Sequence, residues 1–207
     1  MLDDAGFQDA VIAASNDLDE FLIHDLKMQG AAISSWGVGT NLITSKDCPS
    51  FGGVYKLAAI QNADGEFQPK IKISENIEKI TNPGNKTIYR IYDKETGMLR
   101  ADLICFADET FNTEEELLLF DPNATWKKTL LPGGTYTMRE LLVPIFQHGE
   151  CKYESPSVKE IAEFCRQEKE TLWDETKRRL FNPHKVYVDL SQKLYDTKTK
   201  LLNEAHH

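Results

Sequence analysis

The chain has 207 residues, 41% of them hydrophobic and 28% charged, and its 33 acidic against 24 basic residues give a formal net charge of −9. This composition is typical of a soluble globular protein with enough chain to bury a core, and it excludes fibrous, collagen-like and wholly disordered chains. Nucleic acid is not an expected partner, because no basic run with interleaved aromatic residues offsets the negative charge.

Membrane and metal-binding classes are also disfavoured. No window approaches 18 consecutive apolar residues, and the N-terminal residues are acidic where a signal peptide is basic, so we expect no membrane association and place the protein in the cytoplasm. The cysteines show neither C-x-x-C spacing nor neighbouring histidine pairs, so we predict no metal site. We interpret them as packing or surface thiols; they are Cys48, Cys105, Cys151 and Cys165.

The beginning of the chain has the pattern of a β-α-β unit. An apolar run at residues 10–14 predicts a strand buried on both faces, and Asp17 with Glu20 forms a capping-box pattern for a helix that ends at Gly30. Residues 31–36 predict a second buried strand. The two strands are therefore expected to be parallel, with a right-handed crossover.

The middle of the chain has the pattern of short strands joined by hairpin turns. The turn signals are Asp64-Gly65, Asn82-Pro83-Gly84 and Thr96-Gly97, with a further turn at residues 132–134. Pro144 marks the last of these strands as an edge strand. The expected strands cover residues 54–60, 70–74, 87–92, 99–106, 117–120 and 139–146.

The end of the chain is predicted to be helical. Ser157 and Glu160 form a capping box, and an apolar face continues from there until residues 181–183 break the helix. A last helix is expected from about Asp189. The fold class is therefore α/β in the first part and α+β in the rest.

The segment Gly37-Val38-Gly39-Thr40 is the most informative local motif. Two glycines at the C-terminal end of a parallel strand let the backbone approach an anion, and the N–H groups with the Thr40 hydroxyl can hold phosphate oxygens, especially if residues 41–43 open a helical turn. It is not a dinucleotide fingerprint, because Leu42 stands where the third glycine belongs. A glycine pair after a strand is also common as a plain turn, so the motif alone leaves both interpretations open.

Two further features can contribute to the same site. Asn16 and Asp17 follow the neighbouring strand, so both loops can flank one ligand, although Asp17 can also serve only as a helix cap. Lys56 follows the pair Gly52-Gly53 at the start of the next expected strand. It is either a phosphate contact or a surface lysine.

Long motifs in series resemble nicotinate phosphoribosyltransferase. The first three motifs match the family in order and spacing. They are Ala14-Ser15-Asn16-Asp17-Leu18-Asp19-Glu20, Trp36-Gly37-Val38-Gly39-Thr40 and Gly52-Gly53-Val54-Tyr55-Lys56-Leu57. Further similar segments extend it over essentially the whole chain: residues 72–76, 79–84, 89–93, 141–146, 182–184 and 187–191.

The resemblance implies that the chain corresponds to the C-terminal two-fifths of a longer enzyme. Members of the family have an incomplete α/β barrel, that of the type II phosphoribosyltransferases, with a flanking domain assembled from both ends of the chain. By this resemblance, residues 1–60 are the last barrel elements with the phosphate-binding loop, residues 61–155 a β-rich flanking region and residues 156–207 a C-terminal helical region.

The resemblance also implies an activity. The family forms nicotinate mononucleotide and pyrophosphate from nicotinate and phosphoribosyl pyrophosphate with Mg²⁺, driven by ATP hydrolysis, in NAD biosynthesis, and it implies a homodimer. The matching phosphate-anchor positions are Gly37, Gly39 and Thr40, with Asn16 and Asp17 on the neighbouring loop and Lys56 as a weaker match.

The residues that the family uses for catalysis match no position in this sequence. The phosphorylated histidine, the nicotinate-binding groups and the ribose-binding acidic segment belong to an upstream part of the family's proteins. We therefore expect no catalytic residue in this chain and no turnover by the chain alone. The alternatives are another phosphosugar-binding barrel enzyme and a non-catalytic interaction module formed by the hairpins and C-terminal helices.

Overall fold

The computed structural model describes residues 1–50, 52–76, 79–124, 126–178 and 182–205. They form a mixed α/β structure, which confirms the coarse fold class, and they divide into two compact units, Met1–Tyr55 and Lys56–His207. Within these residues no helix has both the length and the apolar character needed to cross a membrane.

The first unit is a short β-α-β arrangement followed by a helical turn. Its elements are β1 (Ala13–Ser15), α1 (Glu20–Met28), β2 (Ser35–Gly37) and α2 (Thr40–Ile43). The strands β1 and β2 pair in parallel, as predicted, with Ser15 opposite Gly37. Both strands are shorter than the apolar runs that predicted them.

The start of α1 corrects one prediction. The N-cap is Asp19, whose carboxylate accepts a hydrogen bond of 2.8 Å from the Leu22 N–H. Asp17 has a left-handed backbone with φ of 47°, which is unlike the extended conformation of an N-cap, so its predicted capping role is wrong. The predicted stop at Gly30 is confirmed, because its φ of 80° closes the helix by the usual left-handed motif.

The strands of the first unit are not buried on both faces, contrary to prediction. Ala13 and Ser15 are exposed, and so are Val11 and Ile12 beside them. The apolar sequence predicted burial by further strands and helices, but β1 and β2 form a sheet of two strands. Leu18 is the one buried side chain among the described residues of this unit.

The second unit is built on a six-stranded sheet with the order β8-β7-β12-β6-β5-β9. Two small hairpins, β3–β4 and β10–β11, accompany it. Its strands are β3 (Ala59–Gln61), β4 (Phe67–Pro69), β5 (Lys86–Asp93), β6 (Leu99–Phe106), β7 (Leu117–Phe120), β8 (Lys128–Leu131), β9 (Tyr136–Glu140), β10 (Phe146–Gln147), β11 (Glu150–Cys151) and β12 (Val188–Leu190). Its helices are α3 (Val158–Glu170), α4 (Asp174–Lys177) and α5 (Gln192–Ala205).

The strand β12 joins distant parts of the chain. It lies between β6, to which it is parallel, and β7, to which it is antiparallel. Asp189 therefore belongs to a central strand, and the prediction that the last helix begins there is wrong. The helix α5 starts after Ser191, whose hydroxyl accepts a hydrogen bond of 3.2 Å from the Leu194 N–H.

The sheet carries two buried clusters. One includes Ile91, Leu103 and Leu119, and the other joins Phe120 to Leu194 of α5. These residues give the second unit its core.

The thiols match their interpretation from the sequence. Cys105 is fully buried in the first cluster, where burial raises the pKa of its thiol to about 12. The other three cysteines are exposed, and none of the four is in a disulfide.

The strand predictions succeed where a segment pairs with a strand close to it in the chain. The runs that became β5, β6 and β7 are confirmed, as is the turn at residues 132–134. Residues 70–74 form no strand, and residues 139–146 do not form one strand, since β9 ends at Glu140. The ladder continues by one bond from the Leu141 N–H to the Ile88 carbonyl and then stops short of Pro144, which has no N–H to donate.

The helix α3 confirms its predicted capping box. The Ser157 hydroxyl accepts from the Glu160 N–H, and the Glu160 carboxylate accepts from the Ser157 N–H at 2.7 Å. The helix ends at Glu170, earlier than predicted, and of the expected breaking segment 181–183 residue 181 lies outside the described residues. Beyond its end, the Trp173 indole donates a hydrogen bond of 2.7 Å to the Leu99 carbonyl of β6.

Candidate functional site

The parallel register of β1 and β2 brings two loops to one edge of the first unit. Ser15 lies opposite Gly37, so Asn16-Asp17 and Val38-Gly39-Thr40 leave from neighbouring strand ends. Carboxyl ends of parallel strands are the usual position of ligand sites in α/β folds. The sequence prediction that these loops lie together is confirmed.

Gly37 is required by the closeness of the two strands. The Ser15 hydroxyl donates a hydrogen bond of 3.4 Å to the Gly37 carbonyl. A Cβ at Gly37 would lie 3.1 Å from the Ser15 Oγ and 3.3 Å from its Cβ, which is tighter than ordinary packing. Gly39 differs, because a Cβ there meets no atom within 4 Å. The space beside Gly39 is open to a ligand.

The loop after β1 has an unusual backbone. Asn16 and Asp17 are both left-handed, with φ of 88° and 47°. Asn and Asp tolerate this region better than other side-chain-bearing residues, and strained conformations of this kind concentrate at functional sites. The next residue, Leu18, is buried, whereas the Asp17 side chain is exposed.

The side chain of Asn41 joins the two loops. Its Nδ2 donates hydrogen bonds of 3.1 Å to the Asp17 carbonyl and 3.0 Å to the Leu18 carbonyl. Sequence reasoning placed Asn41 in a helical turn but did not identify it as a site residue. Its partners are backbone carbonyls more than twenty residues away, and no spacing pattern marks such contacts.

The expected helical turn after Gly39 is present as α2. Gly39 is the N-cap residue, and no side chain caps the helix. The first N–H groups of a helix have no intrahelical partner, and they lie at the positive end of the helix dipole. With the exposed Thr40 at the first helical position, this arrangement can donate several hydrogen bonds to an anion.

Lys56 does not belong to this group of residues. It is exposed and is the first residue of the second unit, and it does not open a strand, because β3 begins at Ala59. Gly52 and Gly53 before it have open space on the side where a Cβ would lie. The residues brought together by the first unit are therefore those of the two strand-end loops and Asn41.

A metal centre is not formed by the protein's own side chains within the part of the chain that the structure describes. No group of three or more His, Cys, Asp or Glu side chains there is placed to hold an ion. The two strand-end loops contain one carboxylate, that of Asp17.

The fold and the loops define a class of protein. A mixed α/β chain with a glycine loop and a helix start at the ends of parallel strands is typical of proteins that bind phosphate groups. Comparison with known proteins makes the assignment more specific.

The model of the nicotinate phosphoribosyltransferase C-terminal domain matches residues 85–198. A nicotinate phosphoribosyltransferase of Bacillus subtilis (strain 168) is 40% identical over 205 residues, which are 99% of this chain and 41% of that protein. A nicotinate phosphoribosyltransferase of Caenorhabditis elegans is 35% identical over 190 residues, covering 91% of this chain and 32% of that protein. The crystal structure of human nicotinic acid phosphoribosyltransferase superposes with a TM-score of 0.67 at 24% identity, covering 96% of this chain and 35% of that chain.

The chain belongs to the nicotinate phosphoribosyltransferase family, because the family's C-terminal domain model matches more than half of it. The resemblance inferred from the sequence motifs is therefore confirmed. The chain spans about two-fifths of the Bacillus subtilis relative and about a third of the Caenorhabditis elegans one.

Proposed function

We propose that this chain forms part of a nicotinate phosphoribosyltransferase, which makes nicotinate mononucleotide and pyrophosphate from nicotinate and phosphoribosyl pyrophosphate in NAD biosynthesis. The observation that carries the proposal is the pair of strand-end loops joined by Asn41 in a chain of this family. ATP hydrolysis accompanies the reaction in the proposed enzyme.

The proposed role of the loops is to fix the phosphoribosyl group. Pyrophosphate leaves as the ribose acquires positive charge. The reaction therefore needs the 5-phosphate of the ribose to be held rigidly, so that the breaking bond is correctly placed. Gly37 and Gly39 admit a phosphate to the backbone, and Thr40 adds a hydroxyl and a helix N–H. Asn16 and Asp17 face the same ligand from the neighbouring loop.

A role for Lys56 in phosphate binding is the weaker part of the proposal. Its exposed ammonium is free of any ion pair among the described residues. Its positive charge suits a phosphate, and it lies in the segment Gly52-Gly53-Val54-Tyr55-Lys56-Leu57, which resembles the family.

Mg²⁺ fits this site as a partner of the substrate. Magnesium is usually bound through one or two carboxylates together with substrate phosphates and water. Asp17 is exposed in the loop and would supply one such carboxylate. An ion held there with the substrate would offset negative charge on the leaving pyrophosphate.

The proposal extends to the longer protein that contains such a chain. We place these residues in an incomplete α/β barrel with a flanking domain, in a cytoplasmic homodimer whose nicotinate-binding groups and phosphorylated histidine lie upstream. The chain alone then binds phosphoribosyl pyrophosphate without turning it over.

The experiment is a product assay. The purified chain is incubated with nicotinate, phosphoribosyl pyrophosphate, ATP and Mg²⁺, and nicotinate mononucleotide is measured by chromatography. We expect no product from the chain alone, whereas a longer protein that contains it should convert nicotinate in preference to nicotinamide and quinolinate. Product formed by the chain alone contradicts its inactivity, and equal use of another base contradicts the proposed substrate.

A further inference from the structure

Two half-buried lysines of the second unit converge on one turn. Lys86, at the start of β5, donates a hydrogen bond of 2.5 Å to the Gly84 carbonyl. Lys198, on α5, donates one of 2.8 Å to the side-chain oxygen of Asn82. The two acceptors are two residues apart in the chain, so the ammonium groups lie at the same turn.

The turn is fixed by its packing. Pro83 is fully buried, and the Gly84 N–H donates a hydrogen bond of 2.7 Å to the Ala58 carbonyl. Gly84 has a φ of 89°, and a Cβ there would lie 2.1 Å from the Phe106 ring. The backbone that carries both acceptors is therefore held in place at Pro83 and Gly84.

The two lysines belong to different elements of the second unit. Lys86 is paired with Phe106 in the β5–β6 ladder. Phe106 packs in the same buried cluster as Leu194, which lies one helical turn before Lys198. One ammonium thus comes from the sheet and the other from the helix that covers it.

Neither lysine has an acidic partner among the described residues. The neighbouring Lys193 of α5, in contrast, forms an ion pair of 3.1 Å with Asp108. Burial lowers the pKa of both Lys86 and Lys198, and no carboxylate acts against it. Partly buried cations without a countercharge are costly, and each ammonium uses one of its three donors on a neutral oxygen.

We propose that Lys86, Lys198 and the turn at residues 82–85 form a second anion site, which binds a phosphate group. A phosphate supplies the missing negative charge and several acceptor oxygens for the unused N–H groups. Lys198 occupies the Asn82 side-chain oxygen, so the amide nitrogen of Asn82 is left as a further donor. This site lies in the second unit, and it does not depend on the strand-end loops of the first unit.

The test is calorimetric titration of the chain with inorganic phosphate, pyrophosphate and ATP. We expect Lys86→Met and Lys198→Met each to weaken the affinity of the best of these anions at least tenfold, because each removes a charge-assisted hydrogen bond. Lys159→Met, at an exposed lysine of α3, is the matched control and should leave the affinity unchanged. Binding of inorganic phosphate identifies a simple ion site, and binding of ATP without phosphate identifies a nucleotide site.

Further variants distinguish anion binding from a structural role of the lysines, and they distinguish this site from the strand-end loops of the first unit. Lys198→Arg keeps the charge, so it should retain anion affinity even if it lowers the melting temperature. Gly37→Val disturbs the strand-end loops, to which the proposed function also assigns phosphate binding, so the lysine variants are compared in this background. There the affinity for the best anion should still fall at least tenfold with Lys86→Met and with Lys198→Met. The proposal is overturned if none of the three anions binds the Gly37→Val protein, or if binding to it survives both lysine-to-methionine changes. Either result would leave the proposed function standing.

Discussion

One amide side chain holds the two strand-end loops of the first unit in place. Asn41 contacts two successive carbonyls of the loop after β1 while its own backbone belongs to the helix that follows β2. The pairing of β1 with β2 and the bond from the Ser15 hydroxyl to the Gly37 carbonyl bring the loops together at the strand ends. Asn41 adds the contacts between the loops beyond the strand ends.

Replacement of Asn41 by alanine should weaken ligand binding more than it weakens folding. The two hydrogen bonds, one exposed and one partly buried, contribute about 0.5–1.5 kcal/mol each, and their loss frees the two loops to move apart. We expect Asn41→Ala to weaken binding of phosphoribosyl pyrophosphate about tenfold in a calorimetric titration with Mg²⁺. Asn112→Ala, which removes an amide in a turn of the second unit, is the control. Equal affinity in both variants would show that Asn41 does not organise the site.

Gly84 and Gly97 offer a matched test of packing at a turn. Both have a positive φ, of 89° and 69°, but a Cβ at Gly84 collides with the buried Phe106 ring whereas one at Gly97 meets nothing within 4 Å. Gly97→Ala should cost about 1–2 kcal/mol for the backbone alone, and Gly84→Ala about 2–5 kcal/mol, because overpacking is added. Chemical denaturation measures both, and similar losses would contradict the close packing of this turn.

Asp189 should make the second unit less stable as the pH rises. Its side chain is 4% exposed, and burial, with the nearby Asp121, raises the pKa of its carboxyl above the ordinary 3.8. The folded state therefore binds this proton more tightly than the unfolded state, so the stabilisation is present at low pH and is lost as the pH rises through the raised pKa. Asp189→Asn should raise the melting temperature more at pH 7 than at pH 4. A gain that is the same at both pH values would contradict this interpretation.

At the scale of elements, α3 is attached to the sheet by a network of charges. Glu168 accepts a hydrogen bond of 2.7 Å from Arg139 of β9, and it lies 3.5 Å from Arg90 of β5. Arg90 in turn forms a bidentate pair with Asp102 of β6, at 2.8 and 2.9 Å. Arg90, Asp102 and Glu168 are partly buried, Arg139 is more exposed, and the apolar residues of α3 are mostly exposed. Charge pairing therefore contributes much of the contact between helix and sheet.

Glu168→Gln should loosen α3 from the sheet. The change leaves two arginines without their shared carboxylate in a partly buried position, so we expect a loss of about 1–3 kcal/mol in the free energy of unfolding. Glu170→Gln is the control, because Glu170 pairs with Arg166 on the exposed face of the same helix, where an ion pair contributes less than about 1 kcal/mol. Denaturant titration of both variants makes the comparison, and equal losses would exclude a special role for Glu168.

The elements that sequence patterns predicted are those held by local signals. The β5–β6 hairpin has alternating residues and the Thr96-Gly97 turn, and α3 has its capping box. The strand β12 was missed because it has three residues and pairs with strands far away in the chain. When the partner strands are not known, the sequence of β12 fits the start of a helix as well as it fits a strand.

The candidate site follows the same division. The glycines of residues 37–40 and the pair Asn16-Asp17 could be predicted from their positions after strands. The cap at Asp19, the left-handed backbone of Asn16 and the bridge by Asn41 could not, because they depend on how the two loops meet. The sequence therefore predicted the glycines and polar residues of the loops. The structure was needed to identify Asn41 as the residue that joins them.

At the scale of the whole molecule, the two units differ in how they are stabilised. The second unit has a continuous sheet with two buried clusters, whereas the first has two paired strands and one buried side chain among its described residues. The candidate phosphoribosyl site lies in the first unit. We therefore expect the loops of the first unit to be formed well enough to bind ligand within this chain.

A thermal unfolding scan with and without phosphoribosyl pyrophosphate and Mg²⁺ measures whether these loops bind the ligand. A ligand at a hundred times its Kd stabilises the folded state by about 2.7 kcal/mol, which raises the melting temperature by several degrees for a chain of this size. We predict a cooperative transition that shifts upward with the ligand and shifts less in Asn41→Ala. A transition that is unchanged by the ligand in the unmodified chain would contradict a preformed site at Asn16, Asp17 and Gly37.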